Sequence, residues 1–206
     1  MTASLIGREF RPARASDIQE IVRIHQAAFP EFFMTMLGAR FLSHYYRLVL
    51  NHPGNIFFIK EGPDGLDGFV SGFLNPAEFY KEMQKKWLGL MGSVVLRTCT
   101  HPWLLPRMFA SYREARRSGQ TNEPGSCELS SIAVLPDRSG QGIGKGLIKV
   151  FIEAVQGRAQ FIVLTTDAKK NDIVNDFYRN LGFILVESYE RSKGRTLNRY
   201  RLFLAG

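Results

Sequence analysis

The chain has 206 residues, 45% of them apolar, and 27 lysines and arginines against 19 acidic residues, for a formal net charge of +8. That size and composition describe an ordinary globular domain with ample core. No apolar run approaches the ~20 residues a membrane-spanning helix needs, the closest, 87–96, being ended by Arg97. The excess of positive charge points to an anionic partner.

Ile6 to Pro12 reads as a short strand. Ser16 and Asp17 cap a helix to about Phe29, with Ile18, Ile21, Val22, Ile24 and His25 on its apolar side. That setting makes His25 a core or rim residue rather than a catalytic one. Met36 to Asn51 reads as a second helix, ended by His52-Pro53-Gly54. Asn55 to Lys60 and Gly68 to Leu74 read as strands around the turn Gly62-Pro63-Asp64-Gly65.

A long link, 75–126, then separates the third strand from the fourth. Phe79 to Arg97 and Trp103 to Arg117 look helical, broken at His101-Pro102 because a residue before proline disfavours helix. Long ordered links tend to be functional. This one is either a helical pair packed over the sheet or a lid or wall for a substrate. From Lys81 to Arg117 it holds eight basic residues and two acidic ones, a solvated face or a contact surface for an anion. Its end, Ser118 to Ser126, reads as mobile. Cys99 and Cys127 read as free thiols. With no charged region before an apolar stretch at the start of the chain, a cytoplasmic protein is expected.

Residues 130–146 run from an apolar strand through Pro136 into Ser139-Gly140-Gln141-Gly142-Ile143-Gly144-Lys145 and on into a helix, Lys145 to Val155. Glycines let backbone N–H groups approach a ligand closely. The first N–H groups of the helix have no intrahelical acceptor and favour negative charge, so a diphosphate suits the loop. A Walker loop would need Ser or Thr after the lysine, where this chain has Gly146, and the dinucleotide fingerprint needs a different glycine spacing. From the glycines alone, a turn that binds nothing remains open. Phe161 to Thr166 reads as a buried strand, Asn171 to Leu181 as a helix, and Phe183 to Tyr189 and Tyr200 to Leu204 as the last strands.

A second motif, Asn171 to Phe183, reads Asn-Asp-Ile-Val-Asn-Asp-Phe-Tyr-Arg-Asn-Leu-Gly-Phe. Together the two motifs resemble the GNAT superfamily of N-acetyltransferases. Its loop is Arg or Gln, two residues, Gly, one residue, then Gly or Ala, after a strand ending near Val-x-Pro, here Val134 and Pro136. Its helix, Asn-x-x-Ala-x-x-Phe-Tyr-x-x-x-Gly-Phe, is matched at Asn171, Phe177, Tyr178, Gly182 and Phe183, with Val174 at the usual small position. Ser139 stands where the family carries Arg or Gln, and Arg138 beside it offers a positive charge instead. The resemblance implies one α+β domain. Its sheet would be mixed, mostly antiparallel and twisted, with one splayed parallel strand pair, helices on both faces and the helical insertion between the third and fourth strands. It also implies acetyl-CoA as co-substrate, with Ile132, Ala133, Val134, Ser139, Gly140, Gln141, Gly142, Ile143, Gly144, Lys145, Asn171, Phe177 and Tyr178 as its contacts.

Direct transfer needs a neutral amine, a polarised thioester carbonyl and a donor to the leaving thiolate. The resemblance places Tyr178 near the sulfur, and a phenol of pKa near 10 is protonated at neutral pH. It places a backbone N–H near Ile132 at the carbonyl. Glu128, opening the strand before the loop, is the candidate base acting through water, with a structural role equally open. No cysteine relay and no metal are indicated. The acceptor is expected to be a primary amine of a small molecule, an amino sugar foremost, given the basic insertion with its aromatics Phe79, Tyr80, Trp87, Trp103 and Tyr112. A protein N-terminal or lysine acetyltransferase, or a non-catalytic module binding acyl-CoA or nucleic acid, are the alternatives. Nucleic acid is the less expected partner. Similar proteins are often dimers.

Overall fold

In the computed structural model, which describes residues 9–86, 123–192 and 194–204, strands β1 (Phe10–Pro12), β2 (Asn55–Gly62) and β3 (Gly65–Leu74) are antiparallel neighbours. β2 shows why the domain is layered on both sides. Its run Ile56-Phe57-Phe58-Ile59 is apolar throughout, and successive side chains of a strand point to opposite faces. Phe57 and Ile59 enter one buried cluster with Phe69 and Phe73 of β3, whereas Ile56 and Phe58 enter a second with Val70. A sheet apolar on both faces needs cover on both. Helices α1 (Ile18–Ala28), α2 (Phe33–Leu37), α3 (Ala39–Asn51) and α4 (Pro76–Lys85) bury their apolar stripes against the first face.

The sheet continues through β4 (Ser126–Val134) and β5 (Phe161–Asp167) to β6 (Ile184–Ser192) and β7 (Arg195–Phe203), in the spatial order β1-β2-β3-β4-β5-β7-β6. Among the described strands only β4 and β5 run parallel. Helix α5 (Ile143–Val155), between them, packs Leu147, Ile148 and Phe151 on the second face, and Tyr178 of α6 (Asp172–Asn180) joins that cluster. This is the expected mixed sheet with helices on both faces.

Local chemistry explains where boundaries differ from the sequence reading. The expected single helix 36–51 is two, because Gly38 at φ 95° stops α2 and starts α3. α4 begins at Pro76 rather than Phe79, since proline suits a first helical turn, where its missing N–H leaves nothing unpaired. Asp17 does not cap α1 through its side chain. Its carboxylate instead takes both Arg11 guanidinium nitrogens (2.7 and 3.0 Å) and the Arg14 N–H (2.7 Å), which ties β1 to the start of α1 and holds Asp17 below the usual carboxylate range. Of the stretch 118–126, expected to be mobile, 118–122 lie outside the described residues and the rest is anchored: Glu123 meets Arg199 (2.8 Å) and Arg201 (3.4 Å), and Ser126 is buried in the sheet. The expected helix beyond Lys86, the helix Trp103 to Arg117, Cys99, the basic residues from Arg97 to Arg117 and the strand residues before Glu9 lie outside the described residues. Cys127 is a buried free thiol.

Candidate active site

β4 is hydrogen-bonded to β3 along its length, from Leu74 opposite Cys127 to Gly68 opposite Val134. Its pairing with β5 stops early, at Ser126 with Phe161, Cys127 with Ile162 and Glu128 with Val163. β5 meanwhile stays paired to β7 as far as Asp167. Beyond Glu128 the two strands therefore diverge, and the main chain of Leu129 to Val134 faces that of Leu164 to Asp167 without a shared ladder. Polar main-chain groups there need partners, and an extended amide-bearing ligand would supply them. Ile132, Ala133 and Val134 line the β4 side of the opening.

The glycine loop lies at the wide end. Gly140 and Gly142 have φ of 78° and 79°, where side-chained residues are strained, and a Cβ added to either would meet nothing within 4 Å. The loop is thus an open cradle rather than a packed turn. The first helical bond runs from the Gly146 N–H to the Gly142 carbonyl (3.0 Å), leaving the N–H groups of Ile143, Gly144 and Lys145 without acceptors one turn earlier. Those groups fit a diphosphate. Ser139, Gln141 and Lys145 are exposed around the cradle, while the Ile143 side chain is buried beneath it. Arg138, expected to offer positive charge beside the cradle, has its guanidinium paired with Asp64 (3.5 Å) and Asp67 (3.6 Å) of the β2–β3 hairpin. Gly146 serves packing, because a Cβ there would collide with the buried Phe10 ring.

The second motif touches the first. The Phe177 ring lies 3.6 Å from where a Cβ on Gly144 would stand. Asn171, expected at the cofactor, has its amide NH₂ engaged by Thr166 Oγ1 (2.8 Å) and the Asp167 carbonyl (3.1 Å), and so holds the turn between β5 and α6. Asn175, which the sequence reading passed over, is the centre of the network. Its NH₂ donates to the carbonyls of Asp167 (3.0 Å) and Asn171 (2.7 Å), and its Oδ1 accepts from Asn198 (3.0 Å) and Tyr200 (2.8 Å). It is 3% exposed. Its spacing of four from Asn171 and three from Tyr178, on the inward side of α6, was the available signal. Asn175→Ala should lower stability by about 3 kcal/mol, because it leaves buried donors and carbonyls unpaired. Urea unfolding measures this, and a loss below about 1 kcal/mol would mean that the network does not hold α6.

Tyr178 is buried, with its ring 5.6 Å from Phe183 and 6.2 Å from Tyr200, whose strand partner is Leu164 at the start of the opening. Burial pushes the phenol above its ordinary range, so it keeps its proton. Glu128 is the last residue paired before the strands diverge. Its carboxyl is pushed up to about 7 by burial, against the opposing pull of a hydrogen bond from Tyr80 and the charge of Arg199. The Tyr80 hydroxyl donates to Glu128 Oε1 at 2.6 Å. The neighbouring Tyr45 hydroxyl bonds Ser130 Oγ, and Tyr46 bonds His25 Nδ1 (2.6 Å). His25 is buried, and burial lowers it to about 4, so it is a neutral core residue. The sequence reading named Tyr80 only among the insertion's aromatics and missed Tyr45, Ser130 and Arg199 around Glu128. Nothing in their spacing marks them.

Among the described residues, no group of histidine, cysteine and acidic side chains could hold a metal, and no helix is long and apolar enough to cross a membrane. No curated protein matches the chain by sequence. Solved structures do match in fold. A protein of Desulfovibrio desulfuricans assigned to the GNAT family has a TM-score of 0.64 at 18% identity, over 95% of this chain and 98% of that one. The ribosomal-protein-S18-alanine N-acetyltransferase of Escherichia coli has a TM-score of 0.57 at 16% identity, over 96% and 94%. Naa20 of Chaetomium thermophilum, in complex with a bisubstrate analogue, has 0.59 at 14%, over 96% and 87%. Residues 18–183 match the family described as Acetyltransferase (GNAT) family. That span takes in every element that builds the opening and the cradle, so the chain belongs to the GNAT acetyltransferase family, whose members transfer acetyl groups from acetyl-CoA.

Proposed function

We propose that the protein acetylates a primary amine of a small molecule, an amino sugar foremost, with Glu128 as general base and Tyr178 as donor to the leaving sulfur. The observation that carries this reading is Glu128 at the point where β4 and β5 part, with its carboxyl poised at about 7. A base is most effective when its pKa lies near the working pH. At pH 7.4 an amine of pKa near 8 is neutral about one time in five, whereas a lysine is neutral about one time in a thousand. A base of this strength therefore suits weakly basic amines and serves lysine poorly.

Acetyl-CoA supplies the activated acetyl group as a thioester. Its diphosphate fits the open N–H cradle of Gly140 to Lys145, and its amides fit the side of the Ile132 to Val134 main chain that faces β5. Glu128, directly or through water, takes the proton that the amine nitrogen loses as it bonds to the acetyl carbon. The C–S bond breaks, and the Tyr178 hydroxyl meets the sulfur. Because burial holds this phenol above its ordinary range, while a thiol titrates at about 8.5, it acts as a hydrogen-bond donor to the thiolate rather than surrendering its proton. Tyr178→Phe should lower turnover about ten- to a hundredfold, with acetyl-CoA affinity nearly unchanged. Unchanged turnover would remove Tyr178 from the chemistry.

The matched pKa supports one second reading, a peptide α-amine, which titrates in the same range. Calorimetry with acetyl-CoA, followed by thiol release across amino sugars, polyamines, amino acids and peptides, tests both. Release with amino sugars supports the first reading and release with peptides the second. Absence of acetyl-CoA binding would overturn both.

A further inference from the structure

Helix α4 belongs to the 75–126 link, yet it reaches the candidate base. Phe79 is fully buried and stacks on Phe73 with ring centroids 3.8 Å apart and planes 17° apart, Met83 is buried beside it, and Glu82 bonds His52 Nδ1 (3.4 Å). Tyr80 is held edge-on to both Phe73 (5.8 Å) and Phe79 (5.6 Å). A phenol so braced aims its hydroxyl at one place, Glu128 Oε1, 2.6 Å away. This is the only hydrogen bond to the Glu128 side chain among the described residues.

We propose that Tyr80 is the positioning residue of the site: by holding Oε1 it turns Oε2 toward the acceptor amine and favours the carboxylate form, so the base is competent only while α4 is seated on the sheet. The proposal rests on Glu128 being the base. The other groups facing Glu128 do less. Arg199 on β7 favours the carboxylate, but its guanidinium is shared with Glu123 (2.8 Å), whose own charge opposes it. The Tyr45 hydroxyl on α3 shares a hydrogen bond with Ser130 Oγ, and Cys127, the preceding residue in β4, is a buried neutral thiol. Tyr80 itself is kept protonated by burial and by Glu128, with only Arg191 opposing, so it remains a donor across the working range.

The test is the pH profile of kcat/KM for the best acceptor in Tyr80→Phe, in Tyr80→3-fluorotyrosine and in Glu128→Gln. In Tyr80→Phe the rising limb should move up by about one pH unit. The rate at pH 7 should fall about fivefold, approaching about tenfold at lower pH, and recover at high pH, and acetyl-CoA affinity should be unchanged. The fluorinated phenol, a stronger donor of nearly the same shape, should move the limb the other way, and it decides the question if the phenylalanine variant does not fold. A limb that stays in place in the Tyr80 variants while Glu128→Gln abolishes it would overturn the role of Tyr80 alone. The acceptor amine sets its own limb at about pH 8, and a limb at about pH 7 that survives in Glu128→Gln would overturn the base assignment and this inference with it.

Discussion

Glu128→Gln should lower kcat by about two to four orders of magnitude, the range of a lost general base, and erase the rising limb near pH 7. The same substitution should leave the fold as stable or more so, in a pH-dependent way. Burial raises the folded carboxyl from 4.5 to about 7, so between those values the unfolded chain gives up its proton first and stability falls as pH rises. The penalty is absent below about 4.5, grows through neutrality and is full above 7. Glutamine cannot ionise and escapes it, yet its carbonyl still accepts from Tyr80. Thermal midpoints of parent and variant should therefore coincide near pH 4 and separate above pH 7, with the variant the more stable. A glutamate retained for packing alone would show the same divergence of midpoints but no lost limb, so the kinetic profile separates the base from a structural residue and the stability measurement tests its raised carboxyl.

Gly142→Asp should abolish acetyl-CoA binding while leaving the domain folded. Gly142 is the N-cap of α5, a position where aspartate is favoured, and a Cβ there meets nothing within 4 Å. Against this stands the positive φ of 79°, which costs a side-chained residue about 1–2 kcal/mol, and aspartate is among those that bear it best. The two effects nearly cancel. At the cradle they do not, because the new carboxylate meets the helix-terminal N–H groups and repels a diphosphate. Affinity should fall by at least about a thousandfold, and acetyl-CoA should no longer raise the thermal midpoint. Gly142→Ala separates conformation from charge and should weaken binding far less. Binding of the aspartate variant within about tenfold of the parent would place the diphosphate elsewhere.

How much of this was legible in the sequence depended on the range of the interactions involved. The strand–glycine loop–helix unit could be read from residues 130–155 because turn geometry, glycine conformation and free helix-terminal N–H groups are set by neighbours in the chain. The apolar side of α1 was legible for the same reason: Ile18, Ile21, Val22, Ile24 and His25 recur at helical spacing, and all are buried. The resemblance of the two motifs carried the fold further, to the mixed sheet and its splayed parallel pair. Where local chemistry competed with a smooth pattern, at Gly38 and Pro76, the boundaries moved.

Other features were decided by pairing between distant segments. Tyr80 and Glu128 are 48 positions apart, and no periodicity within either segment names the other as its partner. Arg138 stood beside the cradle in the sequence, but the hairpin brings Asp64 and Asp67 to its guanidinium. Gly146 looked like one more loop glycine until β1 laid Phe10 across it, and the partners of Asn175 were fixed only when β7 brought Asn198 and Tyr200 to its amide oxygen. The sequence by itself determined the local units, the layering of a sheet apolar on both faces, and the family these residues resemble. Only the tertiary structure decided where β4 leaves β5, which side chains surround Glu128 and how its carboxyl titrates, because burial and hydrogen bonding between remote segments exist only once the chain has closed.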